Sequence, residues 1–236
     1  MQFIVLAGGF GRRLNKVIQD VPKPMADIGG KPFLTYLLTF LLRFPISKIV
    51  VSVGYKKEFI QNYFKDSFHN IPIVYSCETD PLGTGGAIKQ AFEYINDEFA
   101  IVINGDTFFK VDLLNFFLFS KNLNSDVVVA LKYLQEVQRY GFISLNAEGR
   151  ISAFKEKSDN ITSGLINGGI YFIRKNVFQN TSYIHENKFS FEDFLIQTKD
   201  DNAYYGKVFD NYFIDFGIPE DYLRAIKEIP ALFHEE

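Results

Sequence analysis

The chain has 236 residues, 47% of them hydrophobic, with 25 Lys and Arg against 28 Asp and Glu for a net charge of −3. That is enough chain for one substantial core, and the balance of apolar and charged residues excludes a disordered or fibrous protein. A slightly acidic chain, with no run near the roughly 20 apolar residues of a membrane span, gives no support for nucleic acid or membrane as a partner.

The apolar start follows no basic segment, so no signal peptide is expected. Cys77 is the only cysteine and can form no internal disulfide, which fits a reducing cytoplasm. A homo-oligomer is compatible with this composition.

Taken in order, the run Phe3-Ile4-Val5-Leu6 predicts a buried strand that breaks into a loop, Ala7-Gly8-Gly9-Phe10-Gly11-Arg12-Arg13-Leu14. Residues 33–44 predict a helix, 48–54 a strand, 56–64 an amphipathic helix, 71–75 a strand, 85–94 a helix and 99–103 a strand. Strands alternating with helices of this length predict βαβ units and a mainly parallel sheet. Beyond residue 110 the texture changes. A helix over 113–120 precedes strands at 126–131, 141–145, 150–154 and 166–173. A helix over 192–199, strands at 203–208 and 212–214, and a last helix from about Pro219 complete the chain. The fold class expected is α/β: a Rossmann-like mixed, mainly parallel central sheet flanked by helices. It forms a single domain in two lobes, with nucleotide binding expected before about residue 105 and a second substrate after it.

Glycines let a backbone approach a ligand closely and present N–H groups to it. Arg12, Arg13 and Lys23 add fixed positive charge, so the first loop suits several phosphates. A Gly-rich turn also serves tight packing alone. The P-loop spacing GxxxxGK[ST] is absent, and GxGxxG fails because Arg12, Arg13 and Leu14 follow Gly11. An NAD(P) oxidoreductase is disfavoured accordingly.

In open α/β sheets ligands bind beyond the carboxyl ends of strands. There the chain places Glu78 with Pro81, Gly83 and Thr84, and also Asp106 in Asn104-Gly105-Asp106. Much later comes Asp215 in Ile214-Asp215-Phe216-Gly217. Two aspartates from different strand ends suit one hard cation, most simply Mg²⁺. Asp112 reads as a helix cap instead. The three histidines are isolated and do not suggest zinc.

The set Gly8-Gly9-Phe10-Gly11-Arg12-Arg13-Leu14 with Pro22-Lys23-Pro24-Met25 resembles the GGxGTRL and PKPM signature of the sugar-1-phosphate nucleotidyltransferases, with Arg12 where threonine is usual. The resemblance continues through Phe154-Lys155-Glu156-Lys157 and Asn167-Gly168-Gly169-Ile170-Tyr171 and covers essentially the whole chain. It implies a nucleoside triphosphate and a sugar 1-phosphate as substrates, and Mg²⁺ held by Asp106 and Asp215. It makes Arg13, Lys23 and Asp106 catalytic. The nucleotide set is Leu6, Ala7, Gly8, Gly9, Gly11, Arg12 and Arg13 with Glu78, Pro81, Gly83 and Thr84. The sugar-phosphate set is Gly141, Glu156, Lys157, Asn167 and Gly168. Ser190, in an S-x-E segment, reads as a helix N-cap. The length matches a catalytic lobe alone, so no β-helix acetyltransferase appendage is expected.

The resemblance gives Glu78 the base-reading position. A carboxylate only accepts hydrogen bonds. Guanine offers two adjacent donors, whereas uracil, thymine, cytosine and adenine would each oppose lone pairs to it, so GTP is expected. Gly164-Leu165-Ile166-Asn167-Gly168-Gly169-Ile170-Tyr171, with the segments at 189–193 and 212–222, looks most like the heptose 1-phosphate guanylyltransferases of bacterial surface-polysaccharide assembly. Mannose 1-phosphate guanylyltransferases are next, then uridylyltransferases. A non-catalytic, nucleotide-sugar-sensing regulatory relative would be expected to lose the loop arginine, the lysine or a metal aspartate, and all are present.

Overall fold

Alternation along the strands decides the architecture. In β1 (Gln2–Leu6) the side chains of Phe3 and Val5 enter one apolar layer and Ile4 the other, as the two-residue period of a strand requires. The same split recurs in β7 (Phe99–Asn104), with Ile101 and Ile103 on one face and Ala100 and Val102 on the other. A strand apolar on both faces must be covered on both.

The computed structural model describes residues 1–9, 18, 20–137, 140–155, 163–179, 187–200 and 202–234. After β1 come β2 (Asp27–Ile28), β3 (Lys31–Pro32), α1 (Phe33–Leu41), β4 (Lys48–Val53), α2 (Lys57–Phe64), β5 (Ser67–Phe68), β6 (Ile71–Cys77) and α3 (Gly83–Ala91). Then follow β7, β8 (Thr107–Phe109), α4 (Leu113–Asn122), β9 (Val127–Leu134), β10 (Phe142–Leu145), β11 (Ile151–Lys155) and β12 (Gly164–Arg174). Last are α5 (Phe191–Thr198), β13 (Tyr204–Phe209), β14 (Phe213–Asp215) and α6 (Pro219–His234).

The central sheet is mixed. Its middle, β7–β1–β4–β6, is parallel, and β12 joins it antiparallel to β7 and carries β9 and β10. Helices α1, α2, α4 and α6 send Phe33, Ile60, Phe116 and Ile229 into one layer, and α3 and α5 send Ile88 and Phe194 into the other. The expected lobe boundary near residue 105 falls between β7 and β8, while the sheet runs on without interruption. Among the described residues no helix is long and apolar enough to cross a membrane.

The expected helix over 85–94 begins earlier and ends sooner, as α3 followed by a 3-10 turn over Phe92–Tyr94. The Phe189 carbonyl accepts the Gly85 and Gly86 amides at 3.0 and 3.4 Å, a tertiary cap that local pattern cannot announce. Pro230 lies inside α6, where proline ordinarily breaks a helix. The turn beyond it is held by Phe233, whose ring lies 5.4 Å from that of Tyr36 and 5.9 Å from that of Phe108.

Asp112 does cap α4, its Oδ1 accepting the Asn115 amide at 2.9 Å. Asp112→Ala is expected to lower stability by about 1 kcal/mol, read as a lower denaturant midpoint with unchanged slope.

Candidate active site

Lys23 is the hub. It sits in a one-turn 3-10 helix, Lys23–Met25, where Pro22 at the N-cap and Pro24 within fix the backbone and the Met25 amide donates to the Pro22 carbonyl at 2.7 Å. Its side chain is only 9% exposed, and its Nζ donates to Asp106 Oδ2 at 2.9 Å and to Asp215 Oδ1 at 3.3 Å. The Phe216 ring lies under the ammonium, 4.9 Å to its centroid. Phe216 is itself wedged edge-on against Phe33 at 4.5 Å.

The two aspartates meet because β8 and β14 form a separate two-stranded ribbon. It pairs Thr107 with Asp215, Phe108 with Ile214 and Phe109 with Phe213. Asp106, immediately before β8, therefore lies beside Asp215, and both carboxylates address one point. Thr107 Oγ1 steadies the other Asp106 oxygen at 3.3 Å. Beside the oxygens that bond Lys23, each aspartate keeps further acceptor capacity, and an all-oxygen pair of this kind fits a hard divalent cation. Among the described residues no group of three or more His, Cys, Asp and Glu could hold a metal by itself.

Two clefts share Asn104 and Asp106 as a common wall. The first is lined by Leu6, Gly8, Gly9, Lys23, Pro24, Ser52, Glu78, Pro81, Gly83, Thr84 and Ala87. The second holds Thr107, Tyr140, Gly141, Asn167, Gly169, Glu192, Phe213, Asp215, Gly217 and Ile218. Asn167 Nδ2 donates to the Tyr171 hydroxyl at 2.7 Å, and its Oδ1 accepts the Gly169 amide at 3.0 Å. Burial pushes the Tyr171 phenol well above its ordinary range, so it stays protonated.

The expected nucleotide residues Leu6, Gly8, Gly9, Glu78, Pro81, Gly83 and Thr84 thus share one cleft with Lys23 and Asp106. Gly141 and Asn167 share the other with Asp215. Ala7 is not among the lining residues. It is buried, and its amide donates to the Ser52 carbonyl at 2.8 Å. Gly168 does not line the second cleft either: a Cβ there would meet the Phe109 ring at 2.6 Å, and its neighbour Gly169 is the one that faces the cleft. Gly11, Arg12, Arg13, Glu156 and Lys157 lie outside the described residues.

The family model for nucleotidyl transferases matches residues 2–231. The chain belongs to the nucleotidyl transferase family. Among relatives of this nucleotidyl transferase, the D-glycero-alpha-D-manno-heptose 1-phosphate guanylyltransferase of Aneurinibacillus thermoaerophilus is 45% identical over 230 residues, 97% of this chain and 98% of the relative. That of Campylobacter jejuni is 44% identical over 226 residues, 96% of this chain and 99% of the relative. The crystal structure of HddC from Yersinia pseudotuberculosis complexed with GMP-PN superposes with a TM-score of 0.83 at 38% identity, covering 96% of this chain and 98% of that one.

Sequence reasoning passed over several lining residues of this nucleotidyl transferase. Ser52 stands inside an apolar run and reads as core. Asn104 reads as a strand end. Ser190 does cap α5, its Oγ accepting the Asp193 amide at 3.3 Å, yet the same segment delivers Glu192 to the second cleft. The S-x-E pattern was the available signal.

The segment Asn187–Phe191 also crosses the first turn of α3 like a strap. Phe189 N donates to the Leu82 carbonyl at 2.9 Å, and Phe191 N donates to Thr84 Oγ1 at 2.9 Å. Gly85 and Gly86 are glycines because of this crossing: a Cβ on either would lie 2.2 Å from the Phe189 ring or 2.1 Å from the Asn187 carbonyl oxygen.

Proposed function

We propose that this nucleotidyl transferase joins GTP and D-glycero-α-D-manno-heptose 1-phosphate into the GDP-linked heptose, releasing pyrophosphate. The observation that carries the reaction type is one ammonium held between two aspartates where two clefts meet. The near full-length relatives named for this activity support the sugar and the nucleotide, and Glu78 in the first cleft supports guanine.

The chemistry asks little of a base. The sugar phosphate oxygen is already an anion; it bonds to the α-phosphorus as the bond from that phosphorus to the β-phosphate bridge breaks, and the electron pair leaves with pyrophosphate. Catalysis therefore rests on holding mutually repelling phosphates together and neutralising charge as it spreads. Lys23 sits at the shared wall, where donor and acceptor phosphates must approach. Arg13, Arg12 and Lys157 bring further positive charge to the triphosphate and to the sugar phosphate. Gly8 and Gly9 let the backbone come close, Glu78 reads the base, and Gly141, Asn167 and Glu156 take the sugar. Asp106 and Asp215 would hold a divalent cation, which we take to be Mg²⁺ and which would supply neutralisation to the phosphates. Residues to about 105 form the nucleotide lobe and those after it the sugar lobe. We take the enzyme to be cytoplasmic, in keeping with a single cysteine that can form no internal disulfide.

The test is pyrophosphate release from GTP, UTP or dTTP with Mg²⁺ and a panel of sugar 1-phosphates that includes the heptose and mannose. GTP with the heptose phosphate is expected to give the highest kcat/KM, and absence of pyrophosphate from every pair would overturn the proposal. Glu78→Gln is expected to cut the preference for GTP over UTP by about tenfold or more, the worth of a hydrogen bond to a charged group. An unchanged preference would remove Glu78 from base recognition.

A further inference from the structure

The Glu78 carboxylate does not float in its cleft. Its Oε1 accepts from Ser52 Oγ at 3.3 Å and its Oε2 accepts the Leu82 amide at 3.0 Å. Its own amide donates to the Val53 carbonyl at 2.8 Å, fixing the backbone that carries it. Gly8 passes so close that a Cβ there would sit 2.5 Å from Oε1, and a Cβ on Gly54 would meet the Glu78 Cβ at 3.6 Å. These groups form a socket around one side chain.

Ser52 is the part of the socket that sequence alone hides. It is 1% exposed, on β4, in register with Leu6 of β1 and Ser76 of β6. Residues in register point to the same face of a sheet, here the floor of the first cleft. Ser76 beside it is wholly buried with a hydroxyl that makes no hydrogen bond, so it does not compete for the Ser52 donor.

The last torsion of a glutamate is broad, and a lone carboxylate turns freely about it. One hydrogen bond on each oxygen removes that freedom. Each oxygen still keeps acceptor capacity, because an ionised carboxylate offers about four lone-pair sites. We propose that Ser52 is a specificity-determining positioning residue: its hydroxyl and the Leu82 amide set the carboxylate plane, so that the remaining lone pairs meet two adjacent N–H donors on one base edge. The inference rests on Glu78 reading guanine, and it adds a residue that acts through Glu78.

The experiment compares GTP with ITP, whose base lacks the exocyclic amine and so presents one donor instead of two. kcat/KM for both is measured on wild type, Ser52→Ala and Glu78→Gln, with a thermal melt of each. The GTP-to-ITP ratio is taken on one preparation, so any misfolded fraction cancels. Ser52→Ala is expected to lower the ratio by about tenfold, with the loss falling on KM for GTP and not on kcat. A ratio within about twofold of wild type, a difference of only a few tenths of a kcal/mol, overturns the inference. If Glu78→Gln loses the ratio in that case, the guanine reading of Glu78 survives without Ser52. If both variants keep the ratio, the guanine reading falls as well.

Discussion

Lys23→Ala is expected to lower kcat for pyrophosphate release by about 10²–10³, the usual cost of deleting one positioned charge at a transition state. Lys23 lines the first cleft and bonds Asp106 of the common wall and Asp215 of the second cleft. The same substitution removes the ammonium that Asp106 Oδ2 and Asp215 Oδ1 both contact, and two neighbouring carboxylates repel once a shared cation is lost. Asp106 is 41% and Asp215 29% exposed, so water relieves much of that repulsion and the loss of stability should be near 1 kcal/mol. A divalent cation should therefore raise the melting temperature of the variant more than that of the wild type. Two measurements decide the point: turnover at saturating substrates, and melting with and without Mg²⁺. Turnover equal to wild type would take the lysine out of the mechanism.

Gly86→Ala is the second large effect, and its sign is informative. Inside a helix alanine is ordinarily favoured over glycine by about 1 kcal/mol, so propensity alone predicts a more stable protein. The new Cβ, however, would stand 2.1 Å from the Asn187 carbonyl oxygen and 2.9 Å from the Leu82 Cβ. The first of these neighbours is backbone and cannot swing aside. The strap must lift, loosening its bonds to Leu82, Gly85 and Thr84. A net destabilisation of about 1–3 kcal/mol is expected. KM should rise for both substrates, because Thr84 faces one cleft and Glu192, at the foot of the strap, faces the other. Chemical denaturation and a pair of KM measurements check it, and a stabilised variant would show that the crossing yields easily.

Much of this molecule could be read from its residues. The apolar runs at 3–6, 48–54 and 99–103 are long enough to read as buried strands, and all three lie in neighbouring parallel strands. Lys23, Asp106 and Asp215 were legible as separate chemical types, and the fold joined them. What stayed hidden has physical reasons. The strands β2, β3 and β8 are two or three residues long and hold no periodicity to detect. β8 nevertheless makes the ribbon that sets the two aspartates side by side. Gly83, Gly85 and Gly86 suggested a turn into a helix at the ligand edge and nothing of the crossing, because the segment that crosses them lies a hundred residues further along the chain. Ser52 was silent because a small polar residue in a buried strand looks like filler until its partner is known.

The common wall of Asn104 and Asp106 has one more consequence under the proposed reaction. Substrates arrive as two molecules, each giving up its translational freedom, whereas the nucleotide sugar occupies both sides of that wall as one tethered body. It is, in effect, a bisubstrate ligand of the enzyme that makes it. The product is therefore expected to compete with both substrates. The enzyme's forward flux belongs to whatever later steps destroy pyrophosphate and draw the activated sugar away.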